Sequence, residues 1–166
     1  MSSIVLIGFM GAGKTTVGKE LVKKGFELID TDAYIEACEK MSISDIFAQK
    51  GEDYFRQAET KALKTLLVQD KQFVISCGGG MPLREENRKL LKELGMVVYL
   101  RIKPETVLAR LKGDTTRPLL KVDDSGERVR TLMQQREAHY LSGADFVLDV
   151  DQKTPEELAE EIFKEF

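Results

Sequence analysis

The chain has 166 residues, of which 42% are hydrophobic and 32% are charged, and its formal net charge at pH 7 is −3. This length and composition predict a single globular domain with a sizeable core. The acidic balance excludes bulk attraction to nucleic acid or an anionic membrane. No apolar run is long enough for a membrane span and no secretory leader is visible, so we expect a cytoplasmic protein.

Short runs of β-branched and apolar residues alternate with amphipathic segments along the chain. The predicted strands cover residues 3–7, 27–29, 73–76, 97–101 and 146–150. Predicted helices cover residues 14–24, 33–39, 45–47 behind a cap at Ser42 or Ser44, 52–68, 84–94, 104–111, 128–140 and 155–163. This alternation predicts an α/β fold, a parallel sheet with helices on both faces, which binds ligands beyond the carboxyl ends of its strands.

A glycine-rich segment, GFMGAGKTT at residues 8–16, directly follows the first predicted strand. It fits the pattern G-x-x-x-x-G-K-[ST], in which backbone N–H groups and a lysine hold phosphates and a hydroxyl reaches Mg²⁺. An ordinary glycine-rich turn is the alternative, whereas the dinucleotide pattern G-x-G-x-x-G does not fit. We therefore predict a polyphosphate site formed by Gly11, Ala12, Gly13, Lys14, Thr15 and Thr16.

Two acidic residues, Asp30 and Asp32, stand at the end of the second predicted strand. The first suits the water shell of Mg²⁺, and the second suits the hydroxyl of a phosphoryl acceptor. The alternative is that Asp32 only caps the helix that follows.

Three consecutive glycines, Gly78, Gly79 and Gly80, follow the third predicted strand. Ordering glycine costs more conformational entropy than ordering other residues, so we expect a ligand to approach this backbone closely; a tight turn is the alternative. Arg56 is spaced for helical ion pairs with Glu52 and Glu59, and a surface ion network would explain these residues without any function.

The segment 112–126 has loop character and lies in a locally basic part of the chain. Arg117 is the candidate for a cation that a closing lid brings to the phosphates. Arg128 and Arg130 are expected on a solvated helix. The two cysteines, Cys38 and Cys77, lack zinc-site spacing and are interpreted as incidental thiols.

Taken together, these segments resemble shikimate kinases, which are small P-loop kinases of the nucleoside-monophosphate-kinase type. The resemblance rests on GFMGAGKTTVGK, IDTDAYIE, SISDIFAQKGEDYFRQAE, ISCGGG, RPLL, REAHY and AD, in this order along nearly the whole chain. It implies a P-loop NTPase three-layer sandwich with a five-stranded parallel sheet in the order 2-3-1-4-5. It also implies one domain over residues 1–166, a substrate-binding region at about 32–60 and a lid at about 112–124.

The resemblance further implies transfer of the γ-phosphoryl group of ATP to the 3-hydroxyl of shikimate, with Mg²⁺ as the cofactor. The implied catalytic residues are Lys14, Asp32 and Arg117, and Thr15 and Asp30 would organise the metal. Arg110 and Pro155 would lie against adenine, with Arg117 also contacting ATP. The acceptor would be bound by Asp32, Arg56, Gly78, Gly79, Gly80 and Arg136. Paired arginines suit a carboxylate because their planar forks match its oxygens.

Two other readings stay open at this point. A related kinase could act on gluconate or a nucleoside monophosphate, because two arginines would also hold a phosphate. The other is a catalytically silent nucleotide-binding module. A GTPase switch is excluded, because the sequence lacks the N-K-x-D motif that such a switch needs. We expect ATP and shikimate as the partners of a monomer that binds neither nucleic acid nor membrane.

Overall fold

Five parallel strands form one sheet in the order β2-β3-β1-β4-β5, which confirms the predicted topology. The strands are β1 (Ser3–Ile7), β2 (Glu27–Asp30), β3 (Phe73–Ser76), β4 (Gly95–Arg101) and β5 (Phe146–Asp149). Every residue of β1 and β3 is buried, as expected for central strands that are covered on both faces. The computed structural model describes residues 2–111 and 125–166. The predicted lid and Arg117 lie outside this part of the chain.

Eight α-helices, close to the predicted positions, and one short 3₁₀ helix at Met81–Leu83 are found in the described part of the chain. The α-helices are α1 (Lys14–Val22), α2 (Thr31–Glu39), α3 (Ile43–Lys50), α4 (Glu52–Leu67), α5 (Glu85–Leu94), α6 (Pro104–Leu111), α7 (Ser125–Gly143) and α8 (Pro155–Glu165). The predicted spans 45–47 and 128–140 are shorter than the observed α3 and α7. None of the described helices is both long and apolar enough to cross a membrane.

The strand order places helices on both faces of the sheet. The crossover from β1 to β2 runs toward one edge of the sheet, and the crossover from β3 to β4 runs toward the other. Right-handed crossovers in opposite directions put their helices on opposite faces. Accordingly, α1 packs against α8, while α5 packs against α7.

The register of the strands brings three chain segments to one edge of the sheet. Ser76 of β3 is paired with Leu6 of β1 on one side and with Asp30 of β2 on the other. The glycine-rich loop, the Asp30 segment and the triglycine therefore leave the sheet at the same level. A second, smaller core formed by Ile35, Ile46, Phe55 and Ala62 holds α2, α3 and α4 together beside this edge.

Candidate active site

The loop between β1 and α1 is shaped by glycines in left-handed backbone conformations. Gly11 has φ 85° and Gly13 has φ 90°, which side chains with a Cβ rarely adopt. Gly13 is also the N-cap of α1, so the amino end of that helix opens onto the loop. Lys14 donates hydrogen bonds from Nζ to the carbonyl oxygens of Gly8 at 2.8 Å and Phe9 at 3.0 Å. Its ammonium group is thereby held within the curve of the loop.

A cavity of about 540 Å³ unites most of the predicted site residues. Its lining includes the predicted residues Gly11, Ala12, Gly13, Lys14, Thr15, Thr16, Asp30, Asp32, Gly78, Gly79, Arg110 and Pro155. The glycine-rich loop and the triglycine thus border the same cavity. Among the described residues, Arg56, Gly80 and Arg136 do not line this cavity and belong to a neighbouring cluster.

Three oxygen-bearing side chains meet at the ends of α1, β2 and β3. Thr15 Oγ1 donates to Asp30 Oδ2 at 3.0 Å and lies 3.0 Å from Ser76 Oγ. Sequence analysis did not select Ser76, although its position at the last residue of β3 was a usable signal. Hydroxyl and carboxylate oxygens are the ligand types that Mg²⁺ favours, and Mg²⁺ commonly binds only one or two protein carboxylates together with substrate phosphates. The donor set therefore fits this metal.

The helix cap after β2 is Asp30, so the alternative that Asp32 caps this helix is wrong. Asp30 Oδ1 accepts from the backbone N–H groups of Asp32 at 3.0 Å and Ala33 at 3.2 Å. The helix begins two residues earlier than expected because the capping geometry is already satisfied by Asp30. Asp32 lies in the first turn of α2 and lines the cavity instead.

Arg110 closes another side of the cavity. Its Nη1 donates to the carbonyl oxygen of Gly11 at 2.7 Å, which ties α6 to the glycine-rich loop. Pro155, the first residue of α8, lies on the same cavity with Lys153 and Leu158. Lys153 was not selected from the sequence, because a lysine beside a turn carries no distinguishing pattern.

Arg56 and Arg136 converge on the triglycine, and both are buried, at 8% and 5% exposure. A Cβ on Gly80 would lie 2.4 Å from both Nη1 and Nη2 of Arg56. A Cβ on Gly79 would lie 3.3 Å from Arg136 Nη1. The absence of these side chains therefore lets two guanidinium groups approach the backbone after β3.

The expected ion pairs of Arg56 exist, but the alternative that they form a surface network is wrong, because Arg56 and Glu59 are buried. Arg56 bonds Glu59 at 2.8 Å and Glu52 at 3.3 Å. Glu59 is completely buried, and burial raises the pKa of its carboxyl to about 7 in spite of the opposing effect of Arg56. Burial alone would lower the pKa of Arg56, but the two carboxylates raise it overall, so Arg56 stays charged. A salt bridge in this setting carries a desolvation cost that a surface pair lacks.

Tyr140 also supports the triglycine, a role that sequence analysis missed. Its hydroxyl donates to the carbonyl oxygen of Gly79 at 2.6 Å, and its ring packs against Tyr99 at 5.0 Å between ring centroids. Tyr99 in turn hydrogen-bonds Glu137. The spacing of Tyr140 four residues after Arg136, on the same helix face, was the available signal.

Comparison with known proteins agrees with this geometry. The family model described as "Shikimate kinase" matches residues 10–166 of the chain. A curated shikimate kinase from Thermodesulfovibrio yellowstonii is 47% identical, with 100% of this chain and 95% of the relative covered.

Solved structures extend the likeness to the fold. A shikimate kinase from Acinetobacter baumannii, solved in complex with shikimate, superposes with a TM-score of 0.93 at 37% identity and covers 99% of this chain and 92% of its own. A shikimate kinase from Aquifex aeolicus has a TM-score of 0.80 at 35% identity, covering 98% of this chain and 94% of its own. The chain belongs to the shikimate kinase family.

Proposed function

We propose that this chain transfers the γ-phosphoryl group of ATP to the 3-hydroxyl of shikimate, giving shikimate 3-phosphate and ADP. One observation carries the choice of acceptor: two buried arginines converge on the triglycine, which borders the cavity that begins at the glycine-rich loop. The proposed phosphate site and the proposed carboxylate site are therefore adjacent, and the triglycine borders both. Family membership supports the same reaction.

The loop residues Gly11 to Thr16 bind the phosphates of ATP in this proposal, through backbone N–H groups and the amino end of α1. Lys14 lies inside the loop and stabilises charge on the transferred group. Arg110 and Pro155 border the adenosine end of the cavity. Arg117, outside the described residues, remains the proposed lid cation.

Asp32 lies on the cavity between the loop and the triglycine. We propose that Asp32 binds the acceptor hydroxyl, orients it for in-line attack and accepts its proton. Arg56 and Arg136 would hold the acceptor carboxylate, and the backbone N–H groups of the triglycine would complete the pocket. Positioning of this kind supplies most of the catalysis in phosphoryl transfer.

Thr15 and Asp30 would hold Mg²⁺, with Ser76 as an additional oxygen beside them. The metal, when bound, neutralises phosphate charge. Asp30 serves two purposes in this arrangement, because one carboxylate oxygen caps α2 while the other faces Thr15. The cap fixes the direction of the carboxylate before any ligand arrives.

Residues 1–166 would form one P-loop kinase domain, with the acceptor region at about 32–60 and the lid at about 112–124. We further propose that it works as a monomer in the cytoplasm. Family membership supports the single domain, and the position of α2, α3 and α4 beside the edge of the sheet that carries the cavity supports the acceptor region.

The deciding experiment measures ADP release from Mg-ATP with shikimate, gluconate, CMP, AMP or no acceptor. Turnover with shikimate alone is expected. The variant Lys14→Ala should abolish turnover even at saturating shikimate, whereas Arg56→Ala should chiefly raise the KM for shikimate. Preferred turnover of gluconate or a nucleotide would overturn the acceptor assignment, and binding of ATP without any turnover would favour the silent module.

A further inference from the structure

Glu59 is a fully buried carboxylate with only one of its oxygens satisfied. Oε1 accepts from Arg56 at 2.8 Å, while Oε2 has no hydrogen-bond partner in the described part of the chain. A buried carboxylate oxygen without a donor is costly when the group is ionised. Its position is equally unusual, because it lies in the wall of the proposed acceptor pocket.

Gly78 brings Glu59 close to Asp32. The position that a Cβ on Gly78 would occupy lies 2.8 Å from Asp32 Oδ1 and 3.0 Å from Glu59 Oε2. The glycine therefore leaves open a gap onto which two carboxylate oxygens face. Like charges at such a site favour protonation of one member.

The charges around Glu59 are closely balanced before an anion enters the pocket. The groups that act on Glu59 are Asp32 of α2, Arg56 of α4 and Arg136 of α7, and the buried thiol of Cys77 lies near both Glu59 and the ammonium group of Lys14. Two carboxylates, with Glu59 included, stand against two guanidinium groups, while the exposed Glu52 also pairs with Arg56. An acceptor carboxylate would therefore add a negative charge that the buried groups do not balance.

A proton can relieve this excess, and Glu59 is the best place for it. The side chain of Glu52 is 59% exposed and therefore solvated, whereas Glu59 has no exposure. Asp32 is assigned to the acceptor hydroxyl. Burial, opposed by Arg56 and reinforced by Asp32, raises the pKa of Glu59 to about 7, so an additional anion nearby would raise it further.

We propose that binding of the carboxylate acceptor is coupled to uptake of one proton by Glu59 at Oε2. This inference rests on the proposed function. The proton comes from solvent and converts Glu59 from an anion that competes for Arg56 into a neutral partner. Oε1 continues to accept from Arg56, and the charge of the guanidinium becomes available to the acceptor. Glu59 is thus a positioning residue that acts through Arg56.

Calorimetric titration of shikimate into the nucleotide-free enzyme tests this coupling. Titrations at pH 8 in phosphate, HEPES and Tris differ in buffer ionisation enthalpy, and the slope of the observed enthalpy against that quantity counts the protons taken up. Because a group with a pKa near 7 is mostly ionised at pH 8, we expect an uptake of about 0.5 to 1 proton per site. At pH 6 the uptake should be smaller, since Glu59 is already largely protonated.

Two matched variants assign the proton. Glu59→Gln imitates the protonated side chain and should still bind shikimate, but with a slope near zero. Glu52→Gln removes the other, exposed partner of Arg56 and should keep the wild-type slope. A zero slope for a wild-type enzyme that binds shikimate would overturn the coupling, as would an undiminished slope in Glu59→Gln. If the wild type binds no shikimate, the proposed function itself fails, which is a different outcome.

Discussion

The hydroxyl of Tyr140 donates a 2.6 Å hydrogen bond to the carbonyl oxygen of Gly79, joining α7 to the loop after β3. Tyr140 is buried, and burial raises the pKa of its phenol to about 12, so the hydroxyl keeps its proton throughout the working range. The same helix carries Arg136 one turn earlier. One helix face therefore sets the positions of both the triglycine backbone and an arginine of the proposed acceptor pocket.

Tyr140→Phe should raise the KM for shikimate about 10-fold to 100-fold, because the buried Gly79 carbonyl loses its donor and the loop shifts to find another. We expect kcat to change much less, since no reacting group is removed. Steady-state kinetics with shikimate as the varied substrate measure the split. Tyr99→Phe is the matched control, as it removes a hydroxyl that bonds Glu137 in the same ring pair. Equal KM effects in the two variants would contradict a specific role for Tyr140.

Gly80→Ala tests the close approach of Arg56 to the triglycine. Gly80 has φ −95°, so alanine adds no backbone strain there, but its methyl group would lie 2.4 Å from the guanidinium nitrogens. Arg56 must then move away from its buried position. We expect at least a 10-fold rise in the KM for shikimate, with little change in the KM for ATP. Gly143→Ala is the control, because its added Cβ would meet only ordinary contacts at 3.4 Å or more. An unchanged KM in Gly80→Ala would show that the acceptor does not use Arg56 in its present position.

Arg56→Ala should raise the KM for shikimate by about 100-fold, since removing one partner of a buried charge pair costs on the order of 2–5 kcal/mol. Part of that cost falls on folding, because Glu59 would lose its counter-charge. Measuring KM together with the free energy of unfolding separates the two effects. Arg101→Ala serves as the comparison, as Arg101 pairs with Asp149 on the surface. A variant that loses stability but keeps its KM would return Arg56 to a structural role.

The unliganded protein should lose stability through Glu59 as the pH rises. The pKa of this carboxyl is about 7 in the folded chain and 4.5 ordinarily, so between these values the folded state holds a proton that the unfolded state has released. Its contribution is complete below about pH 4.5 and is lost as the pH passes 7. The free energy of unfolding of the wild type relative to Glu59→Gln should fall by a few kcal/mol at most over this range.

Urea unfolding at pH 5, 6, 7 and 8 measures that difference directly. Glu52→Gln, in which an exposed partner of the same arginine is changed, should give a difference that hardly varies with pH. A wild-type curve that runs parallel to the Glu59→Gln curve would show that Glu59 ionises normally in the folded chain.

Sequence reasoning was most successful where local pattern and topology dictate position. The strands and the convergence of the glycine-rich loop with Asp30 and Gly78 follow from the apolar pattern and from parallel strands ending at one edge, whereas the strand order was implied by the resemblance to shikimate kinases. The alternative that Asp32 only caps the helix was wrong, and it had stayed open because Asp30 and Asp32 are chemically equivalent candidates that only the backbone geometry distinguishes.

The contacts of Glu59 and Tyr140 could not be predicted from the sequence for a different reason. Helical spacing joins Glu59 to Arg56, but the same spacing occurs in surface pairs, and burial depends on how α4 packs beside the sheet. The bond from Tyr140 to Gly79 spans 61 residues of chain and rests on tertiary packing alone. The spacing of Tyr140 from Arg136 indicates a shared helix face, but it does not indicate that the hydroxyl contacts Gly79.

The role of Arg117 has to be tested by kinetics, because this residue lies outside the described part of the chain. As the proposed lid cation, it would stabilise charge that develops in the transition state more than charge on bound ATP. Arg117→Ala should therefore lower kcat by about 10³-fold or more while weakening ATP binding much less. Arg130→Ala is the control, since Arg130 forms an exposed 3.7 Å pair with Glu105. Equal losses in ATP affinity and kcat would mean that Arg117 binds the nucleotide in its ground state, and the catalytic assignment would then have to pass to Lys14 alone.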